Sequence, residues 1–282
     1  MVAASGRLWR RKAVSAVTTA GTTVCALLVI GVLLVILGNI LTSGVRELNL
    51  GFLINTTKPY GQPGNGIANA IVGTLVLLAV ASVVGLPVGI LAGLYLAEFG
   101  TNRVGSVLRF LIEVLTGIPS IIIGVFIWTL MVRPMRQFSA LAGGISLAII
   151  MMPIVARTTE EMIRLVPNNL REAALALGAP VWRTSLGVVL RSAAGGVATG
   201  AMLAIARVAG ETAPLLFTAL SSNSMSTDLG RPIASLTYQI FYYQGSPYEE
   251  WHSMAWAATL VLIALILGIN TVVRILGRNR YQ

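Results

Sequence analysis

Charged positions in this chain are gathered into short clusters, and the stretches between them are long and apolar. No charge falls between Ala13 and Val45, Pro59 and Ala97, Val114 and Val132, Gln137 and Ala156, or Trp251 and Val273. A further apolar stretch, Leu190–Leu220, carries Arg191, Arg207 and Glu211. Each contains enough apolar length to cross a bilayer core, which takes about 20 helical residues. A spanning segment must satisfy its own backbone groups, as a helix or a closed barrel, and these runs lack the alternation of a membrane strand. The pattern predicts an all-α, polytopic membrane protein with about six spans, each near the length a helix needs. They run roughly Val14–Leu41, Ile67–Ala97, Leu108–Leu130, Phe138–Ala156, Leu190–Leu220 and Met254–Val273. The fourth is short and the second and fifth are long, so tilted or re-entrant pieces are expected.

Composition agrees. Of 282 residues, 56% are hydrophobic and 11% charged, with a mean hydropathy of +0.82. A net charge of +10 would suggest nucleic acid in a soluble protein. Here it has a simpler source, the gathering of Arg and Lys on the cytoplasmic side of membrane helices, and no nucleic-acid partner is expected. With both termini inside, the cytoplasmic pieces hold Arg7, Arg10, Arg11, Lys12, Arg103, Arg109, Arg157, Arg164, Arg171, Arg183, Arg191, Arg274, Arg278 and Arg280. The outer pieces hold Arg46, Lys58, Arg133, Arg136 and Arg231. The bias predicts cytoplasmic termini, and the short Arg133–Arg136 turn runs against it. The first apolar run is much longer than the core of a signal peptide, so a retained first helix is expected. One cysteine, Cys25, allows neither an internal disulfide nor a thiol metal site, and His252 beside Trp251 reads as an interface residue. No phosphate-binding loop of the GxxxxGK[ST] or GxGxxG kind is present, so an energy-using transporter would need its motor on another chain.

The inward segment Thr158–Leu186 reads TTEEMIRLVPNNLREAALALGAPVWRTSL. Pro167 is expected to end one helix and Asn168 or Asn169 to cap the next. Ala173 to Leu177 are strong helix formers, Gly178 can close the helix in a left-handed conformation, and Pro180 prevents continuation. A short helix with an alanine face follows, suited either to a groove of another protein or to a plain amphipathic connection. The outer loops Thr42–Gly66 and Ser221–Glu250 are rich in turn residues and aromatics and are expected to be irregular.

Arg207 and Glu211, in ARVAGETAPLLF, share one face of a helix at i,i+4. An arginine at mid-bilayer is opposed by about 2.5–3.5 kcal/mol even on insertion scales, so the pair must face a cavity or another protein group. The spacing alone also fits a structural ion pair between helices, in which desolvation offsets much of the attraction. Glu113 is expected near the membrane surface or paired with Arg109.

REAALALGAP, Arg171–Pro180, resembles the EAA loop of ABC importer permeases through Glu172, Ala173, Ala174 and Gly178. Val188 and Leu190 match its usual continuation, while Arg191 stands in place of a proline, so a weaker kink is expected at the entrance to the fifth span. LAIARVAGETAPLLFTAL and MPIVARTTEEMIRLVPNNLREAALALGAP together resemble the PstA-type permease family of bacterial phosphate importers, from about Ile67 to the C-terminus. That resemblance implies a type I importer permease fold of the MetI-like kind in the bacterial cytoplasmic membrane. Residues 1–66 would add an N-terminal helix and outer loop to a core at 67–282, with a coupling helix at about 168–180. It implies a PstC-type permease partner, two copies of a PstB-type ATPase holding ATP and Mg, and a PstS-type phosphate-binding protein outside, with hydrolysis catalysed on the ATPase and no catalytic residue or cofactor on this chain. Glu172, Ala173, Ala174 and Gly178 would mark the contact with the ATPase.

In that setting the pair acquires a phosphate chemistry. A guanidinium offers a planar fork of donors to anion oxygens. Phosphate near neutral pH keeps a proton, which an ionised Glu211 can accept as a hydrogen bond while repelling an unprotonated anion such as sulfate. Thr212 adds a hydroxyl, and Gly210 and Pro214 loosen the helix. Arg157, after Pro153, is a second candidate to guide the anion inward, equally readable as an arginine reaching for the interface. The alternatives are a permease for another small oxyanion and a membrane scaffold or regulatory partner of an ATPase.

Overall fold

A computed structural model describes residues 2–278, with side chains for 9–275. Arg280, counted above for orientation, lies outside the described residues, as do the side chains of Arg7 and Arg278. The described chain is all helical. It begins with α1 (Val2–Glu47), a short α2 (Leu50–Ile54), α3 (Ala68–Glu98), α4 (Arg103–Gly117) and α5 (Ser120–Ile127). A π-helical stretch, Trp128–Val132, leads into α6 (Arg133–Met135), followed by α7 (Ala140–Arg164), α8 (Asn168–Ala176) and α9 (Val181–Arg183). A second π-helical stretch, Thr184–Val189, joins α9 to α10 (Leu190–Ala209), and α11 (Ala213–Thr218), α12 (Leu236–Gln244) and α13 (Glu249–Arg278) complete the chain. Among the described residues five helices are long and apolar enough to cross a membrane, or six if one bent pair counts as a span.

Several expected spans are redrawn. The third is not one helix: Arg103–Gly117 and Ser120–Met135 meet at 102°. The cause is local, because Pro119 disfavours helical geometry in the residue before it, and Ile118 is extended at φ −73°, ψ 129°. The fourth runs through Pro153 to Arg164, well beyond Ala156. The fifth starts earlier and stops earlier, at Val181 and Ala209, with Gly210–Thr212 separating it from α11. At its entrance the helix widens into the π-helical stretch. The segment Ser221–Glu250, expected to be irregular, contains α12, whose start is capped by Ser235, its hydroxyl accepting from the Tyr238 N–H at 3.2 Å. Leu236 and Tyr243 of α12 are fully buried.

The centre of the fold is the pair α3 and α7, packed along their length. Gly85, Gly89 and Gly93 lie on one face of α3. A Cβ on Gly89 would sit 2.8 Å from Val155 Cβ and 3.1 Å from the Met152 carbonyl, and one on Gly93 would collide with the Ala156 carbonyl. Lipid offers no hydrophobic drive for helices to associate, so close backbone approach through small residues supplies the packing. Around this pair lies a core of Leu77, Ala81, Leu147, Met151, Val155, Ala204 and Val208. The loops before α3 and after α11 are pinned by the buried Asn69, whose Oδ1 accepts from the Thr57 N–H at 3.0 Å and whose Nδ2 donates to the Ser222 carbonyl at 2.7 Å. By contrast, α1 is exposed from Trp9 to Asn39 apart from a half-buried Gly31. It meets α13 through its last turns, with Gly44 against the Trp256 carbonyl.

Gly89→Leu is expected to lower the thermal midpoint of the purified chain, since overpacking of a tight contact destabilises by about 1–3 kcal/mol. Gly195→Ala, facing open space, should leave the midpoint unchanged or slightly raised. A parental midpoint for Gly89→Leu would remove the α3–α7 contact from its central role.

Candidate functional site

Arg207 occupies the last turn of α10, where a cation is favoured by the carbonyl end of the helix. The helix stops at Gly210, and Glu211 falls in the break rather than on a continuous helical face. The two still meet, with Arg207 Nη2 3.5 Å from Glu211 Oε1, but they are unequally placed. The Arg207 side chain is 60% exposed and that of Glu211 14%. Glu211 is held from both sides: its N–H donates to the Val208 carbonyl at 3.1 Å, and its carbonyl accepts from the Thr237 hydroxyl of α12 at 3.1 Å. Thr212 is half-buried, and its carbonyl accepts the N–H groups of Leu215 and Leu216, starting α11. Pro214 rests against Gly124 of α5. The bent α4–α5 unit therefore supports the far side of the break. The arrangement is a mostly buried carboxylate on an anchored stretch of backbone beside a largely exposed guanidinium, with a loose ion pair that leaves donors free for another acceptor.

Arg157 lies elsewhere. Since α7 continues to Arg164, Arg157 sits within a helix and not just after one. Its Nε is 3.6 Å from Glu161 Oε1, with both side chains mostly exposed. It lines a cleft of about 290 Å³ between α4 and α7 with Arg109, Ile112, Glu113, Glu160, Glu161 and Arg164. Arg109 does not pair with Glu113. It crosses to Glu160, Nε to Oε1 at 2.9 Å, and donates to the carbonyls of Gly100 and Leu96. That contact outcompetes the i,i+4 alternative because it joins two helices and satisfies two helix-end carbonyls at once. Arg157 shares no ion pair or hydrogen bond with Arg207 or Glu211 among the described residues. Their relative level follows from Thr158, which packs on Gly200 of α10. Gly200 is seven residues before Arg207, or roughly 10 Å along a helix. Arg157 thus lies below Arg207, toward the end of the bundle that carries α8.

On α8, Glu172, Ala173 and Gly178 are exposed and Ala174 is half-buried. Gly178 is left-handed at φ +81°. Its N–H donates to the Leu175 carbonyl at 2.9 Å, and the next N–H, of Ala179, to the Ala174 carbonyl at 3.2 Å. This pair of bonds closes the helix in a glycine-dependent way. Neither asparagine caps the start. Pro167 holds the N-cap position, and Asn168 Oδ1 accepts from Arg171 instead. Leu177 is 89% exposed, with Leu170, Leu175, Val181 and Trp182 also open. Apolar side chains are thus left open on α8 and on the residues that follow it. Two features had no local sequence signal: Arg171 of α8 pairs with Glu98 of α3 at 2.8 Å, and Tyr243 of α12 donates to Asn65 Oδ1 at 3.3 Å. Burial pushes the Tyr243 phenol above its usual range, which keeps it a donor. Among the described residues no group of three or more His, Cys, Asp and Glu side chains could hold a metal ion.

Residues 85–280 match the family described as binding-protein-dependent transport system inner membrane component. Curated relatives include the phosphate transport system permease protein PstA of Yersinia pestis, 46% identical over 242 residues, covering 86% of this chain and 82% of that protein. The protein of the same description from Haemophilus influenzae is 41% identical over 246 residues, covering 87% of each. The probable phosphate transport system permease protein PstA of Methanocaldococcus jannaschii is 38% identical over 231 residues, covering 82% and 80%. Among solved structures, the inward-facing MetNI methionine ABC transporter superposes with a TM-score of 0.58 at 20% identity, covering 77% of this chain and 95% of that one. An amino acid ABC transporter superposes with a TM-score of 0.51, also at 20% identity, covering 75% and 94%. At that identity the likeness concerns the fold, which is that of the MetI-like permeases.

If the largely exposed Arg207 faces water, a cysteine there is accessible. In a Cys25→Ala background, Arg207→Cys is expected to react with a charged methanethiosulfonate reagent at least tenfold faster than Ala204→Cys, position 204 being fully buried. Equal rates would mean that the guanidinium meets lipid or dry protein.

Proposed function

This chain belongs to the family of binding-protein-dependent transport system inner membrane components, and from that membership we infer that it is the permease subunit of an ATP-driven phosphate importer. The observation that carries the substrate is the run of phosphate permeases at 38–46% identity over most of the chain. It is a multi-pass membrane protein. The finer reading is that it pairs with a homologous PstC-type permease, that two PstB-type ATPases carry ATP and Mg and do the hydrolysis, and that a PstS-type protein delivers phosphate. On this reading α8 lies in the cytoplasm, as do both termini. Glu172, Ala173, Ala174 and Gly178 meet the ATPase, which fits the exposure of Glu172, Ala173 and Gly178 and the open apolar side chains beside them.

Within the membrane, Arg207 and Glu211 carry the substrate chemistry. The guanidinium extends from a helix end that stops in mid-bilayer, which is tolerable where the backbone lines a cavity or packs on protein. Its loose ion pair leaves donors for two oxygens of a phosphate, and Arg keeps its charge at any accessible pH. Glu211, its main chain held by the Val208 carbonyl of α10 and the Thr237 hydroxyl of α12, sits beside that position and accepts a hydrogen bond from the hydroxyl that phosphate carries. Thr212 contributes a hydroxyl at the same break. Arg157, roughly 10 Å further toward α8 by helical rise, receives the anion on the inward side. Its weak pairing with Glu161 fits brief occupancy, since a transported ion must be able to leave.

Two measurements on the reconstituted importer test this. Arg207→Ala is expected to reduce labelled phosphate uptake at least tenfold while the ATPase still co-purifies, and parental uptake would take Arg207 out of the path. Glu211→Gln is expected to make uptake more sensitive to competing sulfate by several-fold. Unchanged sulfate inhibition would eliminate the carboxylate as a selectivity element.

A further inference from the structure

Arg171 immediately precedes the exposed Glu172 and points the other way, into the protein. All five of its N–H donors are engaged. Nε and Nη2 donate to Glu98 Oε1 at 3.0 and 2.8 Å. Nη2 also donates to the Ile163 carbonyl at 3.1 Å. Nη1 donates to the Val166 carbonyl at 2.6 Å and to Asn168 Oδ1 at 3.1 Å. Glu98 Oε2 in turn accepts from the Ser185 hydroxyl at 3.2 Å. The two side chains are 19% and 10% exposed. Four segments meet at this one ion pair: the last residue of α3, the carboxyl end of α7, α8 itself, and the π-helical stretch that opens the fifth span.

This matters because α8 has no fully buried side chain, so apolar packing does not lock it to the bundle. Polar anchorage takes that role. A guanidinium is suited to it, since its planar fork holds several acceptors in fixed directions, where an ammonium is a point charge on a flexible stem. Glu98 ends α3, and α3 is packed against α7 by backbone contact.

We propose that the Arg171–Glu98 pair is the joint through which displacement of α8 reaches the membrane helices, so that both are positioning residues for coupling ATP hydrolysis to phosphate movement. The inference rests on the transport function above. With the joint intact, a push on α8 moves α3 and α7 as one body. With it loosened, α8 moves alone, and hydrolysis continues without transport.

The test compares the parent importer with Arg171→Lys, which keeps the charge and loses the fork, and with Glu98→Gln, which keeps the shape and loses the charge. Phosphate uptake and ATP hydrolysis are measured on the same proteoliposomes, and amide hydrogen exchange over residues 168–178 on the same purified complexes. Both variants are expected to retain the ATPase, to hydrolyse ATP within twofold of the parent, and to move at least tenfold less phosphate per ATP. Exchange over 168–178 should rise at least tenfold, with α7 unchanged. A parental ratio of uptake to hydrolysis in either variant, loss of the ATPase from the complex, or unchanged exchange would overturn the joint. Absence of uptake by the parent would refute the transport function instead, and the exchange result would still decide whether the pair anchors α8.

Discussion

The closeness of α3 and α7 is the constraint on which the rest depends. Where Gly89 and Gly93 face Val155 and Ala156 there is no room for a side chain, and at Gly85 the fit against Met151 is tight. Two helices held backbone to backbone behave as one stiff plate, because dense packing leaves little compliance. Every functional element is attached to that plate. Arg157 rides on α7, Glu98 closes α3, and α10 docks on α7 where Gly196 meets Met162 and Gly200 meets Thr158. The position of Arg207 is therefore set by contacts two turns away from it, by residues that carry no charge.

Much of this was legible in the sequence, and what was not has identifiable causes. Apolar length located the spans because the bilayer imposes it. The left-handed Gly178 and the boundary at Pro167 were readable because they are properties of single residues. The 102° bend at Pro119 also had a local signal, the restriction on the residue before a proline, but it lay inside an unbroken apolar run and hydropathy hides it. The glycine spacing on α3 was likewise present and overshadowed by length. The helix α12 was missed for a different reason. Its flanks read as loop, and what makes it a helix is burial of Leu236 and Tyr243 against α3 and α13, which is tertiary.

At the candidate site the sequence placed Arg207 beside Glu211 by helical spacing, and the two do meet, although the helix does not continue between them. The pairing survives because the chain after Gly210 is held by Thr237 and by the seat of Pro214 on Gly124. The i,i+4 rule failed for Arg109 and Glu113, where carbonyls and a carboxylate on other elements offered more acceptors. No spacing rule could have joined Glu98 to Arg171, which are 73 positions apart. Ion pairs of that range are products of the fold and become visible only with it.

The helix α1 stands apart from all of this over most of its length, exposed from Trp9 to Asn39 apart from Gly31 and docked on α13 only through its last turns, where Ile40 and Gly44 are buried. Over that exposed length its place in the bilayer is set by partitioning of its own apolar side chains, with packing on α13 added only at its end. In biosynthetic terms such a segment can leave the translocon as an independent anchor while the later helices are still being made. Insertion and compaction become separate events for this chain, the first settled by α1 and the second by the glycine-lined pair that follows.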